Sequence, residues 1–249
     1  MSSDRQAAAA WYCRHLGLTL AWDSPEEGQS LLQFSKRHAL VLVSVAGGTE
    51  VNLWGNTGNL VRDSNVRLSL AVPDLGATWA VLAAGGVRVN PIVTGPGGRG
   101  YFTFYDLDGT CLEAAARPEL LADFPNERFA GYAAARTGVR DLDAAVTWYQ
   151  EFAGMTVLQD LREEGAVLLG LNEGNPLWLE RLAQGAHRGP GYTRPYLATP
   201  DIQQAHAFCA ARNLRPAPVL GNPNALQVFT FQDPEGNSLY CWTYPGVQI

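Results

Sequence analysis

The sequence predicts an α+β fold built from four βαβββ modules in two tandem domains. Three observations predict it: an internal duplication, one recurring order of elements, and Asp and Gly residues placed to start and stop the helices. A shift of 127 residues lays YFTFYDLDGTCLE, from Tyr101, over VFTFQDPEGNSLY, from Val228. The same shift pairs Arg67 with Arg194, Asp74 with Asp201 and Arg88 with Arg215. A shift of 137 residues pairs Asp4 with Asp141, Trp11 and Tyr12 with Trp148 and Tyr149, and Gly17 with Gly154. The duplicated unit is therefore itself two modules long, with expected domains over 1–116 and 131–249 and a linker over 117–130.

Each module is read in order. In the first, the helix after Asp4 opens the visible part, because the strand expected before it falls ahead of Met1. In the second, VRLSLAV alternates as a strand, and PDLGATWAVLAAGG has helical spacing and a Gly stop. VRVNPIV and GYFTFYD alternate again around the Gly95–Gly100 turn, a hairpin loop at the rim, and TCLEAAA follows the Asp-Leu-Asp-Gly turn. In the third, Asp141 caps a helix carrying Ala145, Trp148, Tyr149 and Phe152, Gly154 ends it, and strands follow around Thr156–Leu161, Ala166–Leu171 and Leu177–Leu182. The fourth repeats the second.

Composition bounds the function. With 249 residues and 47% hydrophobic content the chain can bury its own core. The four cysteines, Cys13, Cys111, Cys209 and Cys241, show no CxxC spacing, so neither a zinc site nor a disulfide framework is expected. No apolar run reaches the roughly 20 residues of a membrane span, and MSSDRQAAAAW does not read as a secretory signal, so a cytoplasmic protein is expected. A net charge of −6, with single scattered Lys and Arg, argues against nucleic acid as a partner.

The V-x-D junctions (Val72-Pro73-Asp74 and Val139-Arg140-Asp141), the Trp-Tyr helix pair and the D-P-[DE]-G-N turn together resemble the vicinal oxygen chelate superfamily. That family holds glyoxalases, bleomycin-resistance proteins, fosfomycin-resistance enzymes and extradiol dioxygenases. The resemblance covers nearly the whole chain and implies two tandem glyoxalase-like domains in which paired modules form a curved sheet, a cup backed by helices. It is specific for fold and not for reaction.

The resemblance also implies where a divalent metal would sit: on His, Gln or Glu of the first and last strands of paired modules. Seven residues before the junction Asp stand Arg67, Ala134 and Arg194, none of them a metal ligand. On the last strands stand Glu113 in module two, Glu180 in module three and Tyr240 in module four, with Val43 in module one. An extradiol dioxygenase would need two His and one Glu where Ala134, Arg194 and Tyr240 occur. The four histidines, His15, His38, His187 and His206, fall at none of these places. No metal or other cofactor is therefore expected, and any divalent ion would have to lie near Glu113 or Glu180.

Period-two alternation fills out two expected cups. The first is lined by Arg67, Ser69, Cys111, Glu113, Val41 and Val43. The second is lined by Glu180 and Trp178, by Arg194, Tyr196 and Ala198, and by Ser238, Tyr240 and Trp242. Glu180, Tyr240 and Arg194 form the expected catalytic set, with Tyr or Glu moving a proton and Arg holding developing negative charge. Tyr196, Trp178, Ser238, Trp242, Arg67 and Glu113 are expected to contact the ligand. A second reading stays open, in which these charges are buried ion pairs that join modules. The function expected is metal-independent acid/base tailoring of a hydrophobic or aromatic anionic metabolite. The alternatives are a sequestering protein and a metal-dependent glyoxalase or dioxygenase. A monomer or a homodimer is expected.

Overall fold

A computed structural model describes residues 2, 4–26, 28–34, 38–44, 66–124, 127–172, 174–182, 196–224 and 226–244. The first module holds α1 (Arg5–Leu16), β1 (Thr19–Ser24), β2 (Gln29–Gln33) and β3 (Ala39–Val43). The second holds β4 (Val66–Val72), α2 (Leu75–Ala84), β5 (Val93–Thr94), β6 (Gly100–Tyr105) and β7 (Cys111–Ala116), and is followed by the short β8 (Gly131–Tyr132). The third holds β9 (Ala135–Val139), α3 (Leu142–Ala153), β10 (Thr156–Leu161), β11 (Ala166–Gly170) and β12 (Leu177–Arg181). The fourth holds β13 (Tyr196–Ala198), α4 (Ile202–Ala211), β14 (Leu220–Gly221), β15 (Gln227–Gln232) and β16 (Ser238–Thr243).

The four α-helices among the described residues start the same way, on an aspartate whose carboxylate accepts a backbone N–H of the first turn. Asp4 accepts from Ala7, Asp74 from Ala77, Asp141 from Ala144, and Asp201 from Gln203 and Gln204. Gly17 and Gly154 end α1 and α3 in the left-handed conformation, at φ 78° and 66°. One expected strand is shorter than its pattern. The run over 87–93 pairs only loosely, through a Val89–Phe104 bridge and the Asn90 N–H to Thr103 carbonyl bond of 2.8 Å, before β5 begins. Pro91 lacks the donor that a continuous ladder needs.

The modules pack in halves but pair their strands across them. One core gathers Ala8, Tyr12, Leu16, Leu32, Phe102, Phe104 and Phe129 from the first half, and another gathers Val146, Tyr149, Leu179, Phe229, Phe231 and Leu239 from the second. Each half also carries the same cross-module hydrogen bond. Tyr12 on α1 donates to Asp106 at 2.8 Å, and Tyr149 on α3 donates to Asp233 at 3.0 Å. Burial raises the pKa of both aspartates, and burial followed by the Asp106 charge raises that of Tyr12 well above the ordinary phenol value.

The largest sheet nevertheless runs β10-β11-β12-β9-β4-β7-β6-β5, with β8 also on β4. Strands of modules two and three thus share one curved mixed sheet, joined where Val66 and Arg67 of β4 lie antiparallel to Thr137 and Arg136 of β9. Modules one and four contribute a three-stranded sheet, β1-β2-β3, and a four-stranded sheet, β13-β16-β15-β14. The segment expected to be a plain linker takes part in this join. Phe129 is buried in the first core, and Arg128 donates to the carbonyls of Arg14 and His15 at the C-terminal end of α1. The Ala130 and Ala133 N–H groups bond the Ala71 and Ser69 carbonyls, both at 2.9 Å, so the chain returns alongside β4. A short connection places consecutive modules side by side.

Candidate functional site

Alternation along the central strands sorts side chains to two faces. Leu70 and Val72 of β4, Leu112 and Ala114 of β7, and Leu177 and Leu179 of β12 belong to the two cores. Their neighbours Arg67, Ser69, Glu113, Trp178 and Glu180 point the other way, and Arg136 of β9 joins them in register with both Arg67 and Trp178.

On that face two carboxylates and two guanidiniums meet. Arg136 Nε donates to Glu113 Oε1 at 2.6 Å, and Arg136 Nη1 donates to Glu180 Oε1. Arg67 Nη2 lies 3.4 Å from Glu180 Oε2 and 3.6 Å from Glu113 Oε2. Ser69 Oγ adds a hydrogen bond to Glu113 Oε1 at 2.8 Å. Glu113 is 0% exposed, Arg136 4% and Glu180 8%, so the group forms the floor of the cup and its formal charges cancel. Burial works to lower the Arg136 pKa, but Glu113 and Glu180 outweigh it and raise the value above that of an ordinary arginine. The Tyr101 ring faces both guanidiniums, 4.7 Å from Arg136 and 5.8 Å from Arg67, and Trp178 lies 5.9 Å from Arg136.

The expected sets are regrouped by this geometry. Glu113 and Glu180 share one cup rather than holding one each. The expected Arg67–Glu113 pairing is present, but Arg136, absent from the sequence reading, is the tighter partner of both carboxylates. Glu180 lies in the joined sheet, whereas Ser238, Tyr240 and Trp242 lie on β16 of the four-stranded sheet, so the expected lining of the second cup is divided between two sheets. Arg194 lies outside the described residues, as do His187 and the side chains of Val43 and Tyr196. Val41 lies on β3, outside the joined sheet. Arg136 could have been found by counting. It stands five residues before Asp141, as Ser69 stands five before Asp74, and Ser69 is the register partner of Glu113.

The metal that the fold family implies does not fit these residues. Arg136 already holds Oε1 of both carboxylates and Arg67 faces their Oε2 atoms, so a further cation would meet two fixed positive charges at close range. Among the described residues no cluster of three or more His, Cys, Asp or Glu is placed to hold an ion. Nor do the buried thiols offer a nucleophile: burial raises Cys209 to about 11 and Cys241 to about 12.

The glycine-rich loop touches the opposite end of the joined sheet. It is the expected β5–β6 hairpin loop, and the Gly97 N–H donates to Glu164 Oε2 at 2.9 Å, in the turn between β10 and β11. The two ends of the sheet path are thereby brought into contact. Gly97 has φ 71°, and a Cβ there would stand 3.2 Å from Gln159 Nε2 and 3.3 Å from Leu161 Cδ1. Glu164→Ala should free this strap and raise the rate of tryptic cleavage after Arg99 by about threefold or more, with little change in melting temperature. An unchanged cleavage rate would mean the contact holds nothing closed.

A separate cleft of about 480 Å³ opens between α3 and the Pro234 turn, lined by Asp143, Thr147, Trp148, Glu151 and Glu235. It lies on the helix side of the molecule, away from the charged floor. No helix among the described residues is long and apolar enough to cross a membrane.

Comparison with known proteins agrees with this fold. Residues 1–114 match the family model of the Glyoxalase/Bleomycin resistance protein/Dioxygenase superfamily. A putative dioxygenase from Bacillus subtilis superposes with a TM-score of 0.68 at 17% identity, covering 98% of this chain and 83% of that one. Glyoxalase I from Zea mays superposes with a TM-score of 0.63 at 18% identity, covering 97% of this chain and 89% of that one. No curated protein matches the sequence. At these identities the structures show a shared fold, and chemistry has to be argued from the site.

Proposed function

We infer that this chain, with the glyoxalase-superfamily fold throughout and the superfamily match over residues 1–114, is a metal-independent small-molecule-binding protein. The observation that carries this reading is the Arg67, Arg136, Glu113 and Glu180 cluster at the place where the family would hold an ion. A flat organic molecule would lie over this floor, near the Tyr101 and Trp178 rings, with an acidic or carbonyl oxygen towards Arg67. Arg67 is the guanidinium suited to that contact, because its ion-pair distances are the long ones and its Nε has no hydrogen-bond partner.

Turnover is the finer proposal. Glu180 is the more exposed carboxylate of the two and the one placed to move a proton to or from a ligand. Tyr240, Tyr196, Ser238 and Trp242 remain proposed for a second site on the four-stranded sheet, and Arg194, outside the described residues, remains proposed as its guanidinium. Sequestration without turnover is favoured by a specific observation, that one oxygen of each carboxylate is already taken by Arg136. Glu180→Gln separates the two: lost turnover with retained binding means an enzyme. We place the protein in the cytoplasm, as a monomer or homodimer without nucleic-acid partners.

The test uses metal content and an aromatic anion, 8-anilinonaphthalene-1-sulfonate. Wild-type protein should carry no stoichiometric metal and should bind the dye equally well with and without chelator. Arg67→Ala should weaken that binding about 30-fold, the equivalent of roughly 2 kcal/mol. Stoichiometric iron, zinc or manganese in the wild type would overturn the reading.

A further inference from the structure

The cleft between α3 and the Pro234 turn has a chemistry of its own. Asp143, Thr147 and Glu151 follow one another at helical spacing along the α3 side, and Pro234 and Glu235 line it from the turn. Trp148 joins them. Its ring stacks on Phe152 at 4.5 Å and 11° and meets Tyr149 edge-on, and the part left uncovered lines the cleft. A volume of about 480 Å³ is in the range of small-molecule sites. Two of the lining carboxylates are fully occupied: Asp233 accepts from the Tyr149 hydroxyl and the Asn237 amide, and Glu235 accepts the N–H groups of Arg140 and Asp141, both at 2.9 Å. The other two are not. Asp143 shares the Arg162 guanidinium with Asp160, at 3.0 and 3.1 Å, and Glu151 has no ion-pair partner among the described residues.

The internal repeat shows that the fold does not require these charges. A shift of 137 residues lays Trp148 on Trp11, Asp143 on Gln6 and Glu151 on Arg14. The helix and its tryptophan are common to both halves, whereas the carboxylates belong to the second alone, and a guanidinium takes the place of Glu151 in the first. We propose that this cleft is a ligand site for an organic ammonium compound, whose cation lies against the Trp148 ring beside Asp143 and Glu151 and whose apolar tail packs against Pro234. An ammonium group is attracted by the face of an indole, and two carboxylates that are not fully neutralised add to that attraction. Pro234 has no backbone N–H, so a tail covers it without burying an unsatisfied donor. The site shares no residue with the cup, and the two readings stand or fall separately.

Binding of 2-phenylethylammonium to the full chain at neutral pH is followed through the indole N–H signal of Trp148 in ¹⁵N–¹H spectra, identified by its loss in Trp148→Phe. The signal should shift saturably, with a Kd of about 1 mM or tighter. 2-Phenylethanol has the same shape without the charge and should bind at least about tenfold more weakly. Raising NaCl from about 0.05 to about 0.5 M should weaken the amine about threefold or more. Asp143→Asn combined with Glu151→Gln changes two exposed positions, so the fold should persist, and amine affinity should fall about tenfold. A Trp148 signal that does not move overturns the proposal. So does equal affinity for amine and alcohol, or an amine affinity that the double variant leaves unchanged.

Discussion

Arg136→Met is expected to lower the free energy of unfolding by about 3–5 kcal/mol. The side chain is 4% exposed and supplies the close contacts to two carboxylates, one of them fully buried. Removing it leaves Glu113 with the Ser69 hydroxyl and a guanidinium at 3.6 Å, too far for a good hydrogen bond. The cost is that of an uncompensated buried charge rather than the worth of one ion pair. Adding Glu113→Gln should therefore recover much of the loss, and urea titration of the wild type, the single and the double variant checks it. Equal stabilities for single and double variant would mean that the charge is not what the site is sensitive to.

Phe104→Ala and Phe231→Ala should each cost about 3–5 kcal/mol, and each should shift one shared unfolding transition. The two residues are repeat partners in separate cores, Phe104 packed on Phe102 and Phe129, Phe231 on Phe152 and Phe229. Two cores in one chain could melt separately. Here the β4–β9 pairing and the charged floor join the halves, so loss of either core should destabilise the common sheet. Calorimetry that splits into two transitions in either variant would show that the join is too weak to couple them.

The modules were legible because their signals are local. Asp4, Asp74, Asp141 and Asp201 do start the helices, and the Tyr12 and Tyr149 repeat partners make equivalent hydrogen bonds to Asp106 and Asp233. Which modules share a sheet was not legible. A repeat period shows which segments are alike and carries no information on which strands lie side by side. The repeat therefore groups Glu180 with Arg194 and Tyr240, whereas β12 lies beside β9 and so close to Glu113 and Arg67. Arg136 is hidden from the repeat for a related reason. The family position in module three falls on Ala134, and the residue that reaches the floor lies two places further along the same strand face.

The seam between β4 and β9 joins two similar halves that a peptide tether holds together. A binding surface shared by separate subunits would vanish on dilution, whereas a tethered one keeps a fixed effective concentration of one copy against the other. Tethering also frees the copies from symmetry: one contributes Ser69 beside Glu113 and the other Arg136 beside Trp178, a division of labour closed to two identical chains.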